Sequence, residues 1–196
     1  MKRIFRLRVK LLGIEPPVWR SLEVDSGHLF YELHHILQIA FGWENRHLFM
    51  FRKGSRQIGI PDPGFDDPKM DASNEVHLFE ILDKPGSEMF YEYDFGDGWQ
   101  HLITLESEIS RTQYSCPVCL QGARRTPPED CGGPPGYDRI LKILTSKKHP
   151  EYKATRRWLG RKPFYPESFD LDAVNRRLST LERYIKRFDD RGGFHL

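Results

Sequence analysis

The first residues of the chain alternate between apolar and basic side chains. Phe5, Leu7, Val9 and Leu11 are separated by Arg6, Arg8 and Lys10. This period of two is typical of a strand with one buried face. A Gly- and Pro-containing break follows at residues 13–17, and residues 18–24 have strand character again. The N-terminal segment therefore predicts a hairpin of two strands.

After the hairpin the apolar spacing becomes helical. The apolar positions fall on one stripe, formed by Leu29, Leu33, Ile36, Leu37 and Ala40. Ser26 is the predicted N-cap of this helix, and Gly42 is its predicted end.

A second hairpin is predicted in the middle of the chain. Residues 90–95 and 99–106 are both rich in aromatic and apolar side chains. Gly96-Asp97-Gly98 between them suits a tight turn with positive φ. Upstream, residues 52–75 predict a loop with one brief strand near residues 57–60.

The second half of the chain predicts a long loop followed by helices. Residues 110–136 show no periodicity and hold five Pro, four Gly and all three Cys. Helical spacing returns near Ile140, and a second helix ends at Gly160. Residues 171–188 predict one continuous last helix, capped by Asp170. Strands early and helices late predict an α+β fold: a single domain with an antiparallel sheet, an N-terminal hairpin, one early helix and a C-terminal group of helices.

Length and composition agree with one domain. The chain has 196 residues, and we assign residues 1–188 to the domain and residues 189–196 to a short polar tail. No apolar run reaches the roughly 18 residues of a membrane span, and the charged start lacks a signal-peptide core. Three unevenly spaced Cys do not form a disulfide framework. These features predict a cytoplasmic protein without membrane association.

The formal net charge of +2 conceals a segregation of charge. Residues 57–108 carry two bases and thirteen acids, whereas residues 139–196 carry fifteen bases and seven acids. The basic excess is either a solvated helical face or a surface for a polyanion. The candidate nucleic-acid contacts are Arg156, Arg157, Arg176, Arg177, Arg183 and Lys186, with Trp158 or Tyr165 available to stack a base.

Four strings of the chain point to a known family. They are residues 33–43 followed by His47-Leu48, residues 93–101, residues 127–137, and Trp158-Leu159-Gly160 with Phe169-Asp170 and Asn175. In this order they resemble the plasmid pRiA4b ORF-3-like family, also met as a passenger protein of insertion elements labelled TnpR. The resemblance implies an α+β single domain found beside mobile elements, and it implies no established reaction.

The cysteines suggest one kind of metal site. Cys116 and Cys119 are spaced as in zinc-binding turns, and Cys131 lies in the same aperiodic stretch. With His101 as the candidate fourth ligand, these thiols predict a zinc site. Reduced free thiols, or a redox or disulfide role, are the alternatives for the same residues.

Carboxylates and a histidine around the second hairpin suggest another kind of site. The candidates are Asp94, Asp97, His101, Glu129 and Asp130. Such side chains perform general acid–base chemistry or metal-assisted hydrolysis. The structural alternative is that Asp97 favours the turn and that Asp94 and His101 form a cross-strand pair.

Two further histidines flank the connection between the early helix and the next strand. His34 lies beside the apolar stripe and is expected to be buried and hydrogen-bonded. His47 follows Trp43 at the far end of this connection. A ligand or proton-transfer role is the alternative for His34.

These features leave three classes of function. The first is a mobile-element-associated binding or accessory module whose basic helical face contacts nucleic acid or a protein partner. The second is a metal-dependent hydrolase-like enzyme that uses the carboxylate and histidine candidates. The third is a purely structural interaction protein. We place the binding module first and lean against an enzyme, because the basic residues are many whereas the enzyme requires several long-range proximities. Zinc is the one cofactor suggested, and the sequence does not determine the oligomeric state.

Overall fold

The computed structural model describes residues 2–61, 70–111, 117–160 and 163–194, which form one sheet and a set of helices. The strands are β1 (Lys2–Leu11), β2 (Trp19–Asp25), β3 (Phe49–Lys53), β4 (Arg56–Gly59), β5 (Met70–Ala72), β6 (Glu88–Tyr93), β7 (Trp99–Arg111) and β8 (Val118–Ala123). The helices are α1 (Phe30–Phe41), α2 (Leu78–Ile81), α3 (Gly133–Leu144), α4 (Tyr152–Trp158), α5 (Leu171–Leu178) and α6 (Leu181–Asp189). The predicted α+β single domain is confirmed.

The strands form one sheet in the order β5-β4-β3-β6-β7-β1-β2-β8. All neighbours pair antiparallel except β4 and β5, which are parallel. The long strand β7 joins the two predicted hairpins, because it pairs with β6 along one edge and with β1 along the other. Both hairpins are confirmed, with Lys10 opposite Trp19 and Tyr93 opposite Trp99.

Helix α1 lies at the centre of the core. Every residue of α1 except Glu32 is buried, so the helix is covered on all sides and not only along its predicted stripe. It contacts β4 of the sheet as well as α5 and α6. Gly42 ends the helix in the left-handed conformation, as predicted, with φ 79°.

Two predicted helix starts are wrong. Helix α1 begins at Phe30 and not after Ser26, and the backbone N–H of Leu29 donates to Glu32 Oε2. A Glu side chain in the first turn therefore satisfies a terminal N–H group that a hydroxyl was expected to bind. Helix α3 begins at Gly133, earlier than the helical spacing near Ile140 indicated, because prolines occupy its first turn.

Strand β8 lies within the stretch that was predicted to be aperiodic. It pairs with β2, and a bulge interrupts its register opposite Ser21 and Leu22. The bulge shifts the inward and outward positions by one residue, which hides the alternation in the sequence. The Asn175 side chain from α5 accepts from the backbone N–H of Cys119 and donates to its carbonyl, at 2.8 and 2.9 Å.

The predicted continuous last helix is instead two helices, α5 and α6. The break lies at Ser179 and Thr180. Their hydroxyls donate to the carbonyls of Arg176 and Arg177, at 2.9 Å in both cases. These side-chain bonds compete with the helical backbone pattern and favour a turn. Asp170 caps α5 as predicted, since its Oδ1 accepts from the Ala173 N–H at 2.8 Å.

The last described residues contact the core. The Phe194 ring lies 5.5 Å from the Phe49 ring and 5.7 Å from the His34 ring. Asp189 Oδ1 accepts from Tyr31 of α1 at 2.5 Å. The predicted tail of residues 189–196 thus includes an aromatic side chain that packs, and the domain limits themselves stay a prediction.

Candidate metal centre

Three separate loops bring ligand-type side chains to one point. His47 lies between α1 and β3, Asp94 begins the turn between β6 and β7, and Asp130 lies between β8 and α3. Their ligand atoms all lie within 4.8 Å of one another, which makes them the only such group of His, Cys, Asp and Glu in the described part of the chain. We call these three residues the ligand triad.

Two distances within the ligand triad are compatible with groups that share a cation. His47 Nε2 lies 3.0 Å from Asp130 Oδ1 and 3.5 Å from Asp94 Oδ2. A cation about 2.0–2.2 Å from each atom sets the atoms about 3.0–3.5 Å apart at angles of about 90–110°. His47 Nε2 is enclosed and makes no hydrogen bond with described residues, although Asp130 is close enough.

Glu129 adds a fourth polar group beside the ligand triad. Its Oε1 accepts from the Glu44 backbone N–H at 2.6 Å and from the Tyr93 hydroxyl at 3.0 Å. Its Oε2 points toward His47 Nε2 at 4.0 Å and has no hydrogen-bond partner among the described residues. Only 9% of this side chain is exposed. An enclosed carboxylate oxygen without a donor is costly unless something binds to it.

Tyr93 acts as a neutral donor to Glu129. Burial raises the pKa of Tyr93, and the Glu129 carboxylate raises it further. The same hydroxyl oxygen accepts from the Arg46 backbone N–H at 3.0 Å. The hydroxyl thus connects the loop of His47 to the loop of Glu129.

Asp94 and Asp97 have different roles although they lie in the same turn. Asp94 has a φ of 58°, and its Oδ1 accepts from the backbone N–H groups of Gly96 and Asp97 at 3.0 and 3.3 Å. Its Oδ2 remains directed at His47. Asp97 instead accepts from the backbone N–H groups of Cys131 and Gly132, at 3.1 and 3.2 Å. Asp97 therefore holds the loop that carries Asp130 and does not join the ligand triad.

Close packing against the same turn also fixes this loop. Gly133 has a φ of 66°, and a Cβ at this position would overlap the backbone carbonyl oxygen of Asp97. Only glycine allows the loop to approach the turn so closely. Asp130 itself has a φ of 55°. Such strained conformations are found where the surrounding structure imposes them, often at functional sites.

A buried polar network holds the loop that carries His47. Asn45, with φ 58°, donates from Nδ2 to His35 Nδ1 at 3.2 Å and accepts at Oδ1 from His34 Nε2 at 2.5 Å. His34 Nδ1 accepts from the Tyr91 hydroxyl at 2.8 Å, and Gln38 Oε1 accepts from the Asn45 N–H at 2.9 Å. The expected buried, hydrogen-bonded state of His34 is confirmed. Burial lowers the pKa of His34 well below its ordinary range, and that of His35 to about 3.

A cavity of about 630 Å³ adjoins this centre. Glu129 and Asp130 form part of its wall. Aromatic rings of Trp43, Trp158 and Phe164 line it elsewhere. Its volume is in the range of pockets that bind small molecules. Of the ligand triad, Asp130 borders this cavity, together with the neighbouring Glu129.

Some of the catalytic candidates from the sequence lie close together in the fold, and others do not. Asp94, Glu129 and Asp130 come together, and Asp97 supports them. His101 does not join them, because it is buried between the rings of Phe41, Trp43 and Tyr91. Burial lowers the pKa of His101 to about 3, which keeps it neutral.

The cysteines do not assemble with His101 into a metal site within the described residues. Cys119 is buried, its thiol donates to the Gln121 carbonyl at 3.3 Å, and burial raises its pKa to about 11. Burial, and next the Asp97 carboxylate, raise the pKa of the Cys131 thiol to about 12. Cys116 lies outside the described residues, so the thiol site as a whole stays a prediction.

His47 is the residue that the sequence left unassigned. It was noted as flanking a helix-to-strand connection, but no spacing links it to Asp94 or Asp130. Its proximity to them arises because β3 pairs with β6, with Phe49 opposite Tyr93. One signal in the sequence could have identified His47. It belongs to the first of the four family-like strings, and the second string contains the turn that begins at Asp94.

The six basic candidates lie on three helices. Arg156 and Arg157 end α4, Arg176 and Arg177 end α5, and Arg183 and Lys186 belong to α6. None of the six forms an ion pair with a carboxylate of the described residues. Arg177 alone among them lines the cavity. No helix in the described part of the chain combines the length and apolarity needed to cross a membrane.

Comparisons with known proteins agree with the resemblance noted above. The model of the family described as plasmid pRiA4b ORF-3-like protein matches residues 3–173. The uncharacterized protein y4hQ of Sinorhizobium fredii is 34% identical over 179 residues, which cover 91% of this chain and 92% of that protein. The crystal structure of a protein of unknown function, MM3350 from Methanosarcina mazei Go1, superposes with a TM-score of 0.79 at 31% identity. The superposition covers 88% of this chain and 97% of the MM3350 chain.

Proposed function

The chain belongs to the plasmid pRiA4b ORF-3-like protein family, and from that premise we propose that it is a metal-dependent hydrolase-like enzyme. The names of its relatives supply no reaction. The proposal therefore rests on one observation, the convergence of three ligand atoms and one enclosed, unpartnered carboxylate oxygen at the wall of a cavity.

In this proposal the ligand triad holds one divalent cation. Three protein ligands that leave positions for water are the arrangement of catalytic sites, whereas structural zinc sites are closed by four. One imidazole and two carboxylates suit hard or borderline cations such as Mn²⁺ and Zn²⁺ better than soft cations, which prefer thiolates. The carboxylates of Asp94 and Asp130 lie beside that of Glu129, and together they concentrate negative charge that attracts a cation. Among the described arginines and lysines, Arg46 alone is in ion-pair contact with Asp130.

Glu129 is the general base of the proposed reaction. A cation held by the ligand triad would lower the pKa of a water molecule bound to it. Glu129 Oε2 takes a proton from that water, and the water oxygen forms a bond to the electrophilic atom of an ester. The bond to the leaving group then breaks with its electron pair, and the leaving group receives the proton from Glu129. Oε1, fixed by Glu44 and Tyr93, keeps the carboxylate in this orientation.

The test separates binding of the cation from catalysis. Isothermal titration of the metal-free protein with Mn²⁺ and with Zn²⁺ is expected to give one site. Asp94→Asn removes a proposed ligand and should weaken that site at least about 100-fold, more than the loss of a residue that only orients a ligand, while Glu129→Gln should leave it within about threefold of the wild type. Metal-dependent hydrolysis of p-nitrophenyl phosphate, bis-p-nitrophenyl phosphate or p-nitrophenyl acetate should fall about 10²- to 10⁴-fold in Glu129→Gln. Glu106→Gln removes an exposed carboxylate elsewhere and is the matched control.

Two results would overturn the proposal. If neither cation titrates into the wild-type protein, the ligand triad is not a metal site. If the cation binds but hydrolysis of all three esters is no faster than with the chelator EDTA, or if Glu129→Gln hydrolyses as fast as the wild type, the catalytic assignment is wrong.

A second candidate function is polyanion binding by the C-terminal helices. Its support is that the six basic side chains lie on three helices without carboxylate partners among the described residues. A surface of this kind binds phosphates with a strong dependence on salt. We expect the Arg183→Gln, Lys186→Gln double variant to bind a 20-base single-stranded DNA more weakly than the wild type between 50 and 200 mM salt, measured by fluorescence anisotropy. Unchanged binding, or binding that does not weaken with salt, removes this candidate. The association with mobile elements stays a prediction.

A further inference from the structure

The cavity beside the ligand triad has features that select a class of ligand. We infer that it binds a nucleoside phosphate. The phosphates contact Arg125, Arg177 and the proposed cation, and the base stacks on the aromatic wall. This inference rests on the proposed function, because the cation is the one described above. It names the class of substrate on which that centre acts.

The first step is to account for the charged groups that line the cavity. Arg20 is buried, and its guanidinium N–H groups donate to the carbonyls of Trp19, Ala40, Ala123 and Arg124. Arg46 contacts the carboxylates of Glu44 and Asp130. These two arginines are therefore engaged within the protein and have little capacity for a ligand.

Arg125 and Arg177 are different. Both line the cavity, and neither forms an ion pair with a carboxylate of the described residues. The Arg125 guanidinium lies over the Phe164 ring at 4.7 Å, which orients it without neutralising it. Of the lining carboxylates outside the candidate centre, Glu44 contacts Arg46 and Asp170 Oδ1 caps α5. Two available guanidinium groups in one cavity favour an anionic ligand, and guanidinium matches phosphate in geometry.

The second step concerns the apolar part of the lining. Trp158, at the end of α4, is 50% exposed although it is the largest side-chain type. Its ring lines the same cavity as Phe164 and the buried Trp43. An exposed indole at a cavity offers a flat surface on which a planar base can stack. A purely inorganic anion would not use it.

The third step connects the two parts through the ligand triad. Asp130 of the ligand triad and the neighbouring Glu129 both belong to the wall of the cavity. A ligand that contacts Arg125 and Arg177 through phosphate oxygens can also place one of those oxygens on the cation, as nucleotide phosphates commonly do. The hydrolysed bond is then a phosphate ester or phosphoanhydride: water oxygen bonds to phosphorus, the P–O bond to the leaving group breaks, and Glu129 passes the proton to that group.

The experiment uses ADP, adenosine and pyrophosphate as probes. Binding is followed by quenching of tryptophan fluorescence and by titration calorimetry, with and without Mn²⁺. We expect Mn²⁺ to tighten ADP binding at least tenfold and to leave adenosine binding unchanged. Asp94→Asn should abolish the Mn²⁺ effect but keep the metal-independent binding of ADP.

Matched variants test each contact. Arg177→Gln should weaken ADP binding about tenfold and not affect adenosine, whereas the neighbouring Arg176→Gln, which does not line the cavity, should behave as the wild type. Trp158→Ala should weaken both ADP and adenosine about 5- to 150-fold, and Trp158→Phe should restore most of the loss because an aromatic ring remains.

Each failure has a distinct meaning. If Mn²⁺ titrates into the protein but ADP does not bind up to millimolar concentration, the nucleoside phosphate assignment is wrong and the metal centre stands. If Arg176→Gln weakens ADP binding as much as Arg177→Gln, or if pyrophosphate binds as tightly as ADP, the cavity is not the binding site for the base and phosphates. If ADP binds with the expected dependence on Arg177 but no cation titrates, the cavity assignment stands and the proposed hydrolase function is wrong.

Discussion

Removal of the Asp97 carboxylate is expected to loosen the proposed metal centre without removing any of its proposed ligands. Asp97 accepts hydrogen bonds from the backbone N–H groups of Cys131 and Gly132, which directly follow Asp130. Asp97→Ala deletes both acceptors, and Asp97→Asn keeps one oxygen in place. The two variants therefore weaken the same interaction to different degrees.

The magnitude follows from these contacts. A hydrogen bond from a backbone N–H to a charged group contributes about 1.5–3 kcal/mol. Two such bonds at a partly exposed site give a loss of about 3 kcal/mol in the free energy of unfolding for Asp97→Ala, and about half of that for Asp97→Asn. A partner that orients a ligand changes metal affinity about 10- to 100-fold, so Mn²⁺ binding should weaken by that factor in Asp97→Ala and less in Asp97→Asn.

Urea unfolding followed by circular dichroism measures the stability, and titration calorimetry measures the affinity. Asp138→Ala, which removes only a surface ion pair with Lys142, is the control and should change the stability by less than about 1 kcal/mol. If Asp97→Ala is destabilised but binds Mn²⁺ as the wild type does, Asp97 does not position Asp130. If Asp97→Asn loses hydrolysis as completely as Asp97→Ala, Asp97 takes part in the reaction itself and the positioning role is wrong.

Three further predictions concern the supports of the site and the core. Gly133→Ala should lower the stability by about 2 kcal/mol or more, because its Cβ meets the Asp97 backbone, whereas Gly132→Ala, whose nearest non-neighbouring atom is 3.6 Å away, should cost about 1 kcal/mol for its positive φ alone. Arg20→Lys should cost about 3 kcal/mol by urea unfolding, because an ammonium group has three donors where the guanidinium reaches four carbonyls and Thr126 Oγ1. The free energy of unfolding should fall as the pH drops below 6.5, since His35 and His101 remain neutral in the fold down to a pKa of about 3 while the unfolded chain takes up protons. Each contributes about 1.4 kcal/mol per pH unit in that window, and His101→Phe should remove one such contribution from the slope.

Each of these predictions has an outcome that contradicts it. Equal losses for Gly133→Ala and Gly132→Ala would show that the close approach to Asp97 is not required. An Arg20→Lys protein as stable as the wild type would mean that the four carbonyls and Thr126 Oγ1 do not need all the donors of a guanidinium. A stability that is flat between pH 6.5 and pH 4, or a slope unaffected by His101→Phe, would mean that these imidazoles are not buried as neutral groups.

The local patterns of the sequence were sufficient for most of the fold. Alternation identified the N-terminal strands, Gly96-Asp97-Gly98 identified the second hairpin, and helical spacing identified α1. These features succeed because a period of two or of 3.6 directly expresses which face of an element is buried. Where side-chain hydroxyls or a bulge interrupt the period, as at Ser179 and opposite Ser21, the prediction was wrong or an element was missed.

For the candidate centre too, some residues could be identified from the sequence and others only from the tertiary structure. The sequence identified Asp94, Glu129 and Asp130 as chemically capable, because acidic residues in turns and loops are visible without a fold. It paired them with His101, which is near in the chain but faces the core, and it left His47 unassigned. The pairing of β3 with β6 brings His47 to Asp94, and the two hydrogen bonds of Asp97 bring Asp130 to both. Contacts between loops that lie far apart in the chain leave no period in the sequence, so only the tertiary structure could decide which imidazole meets the carboxylates.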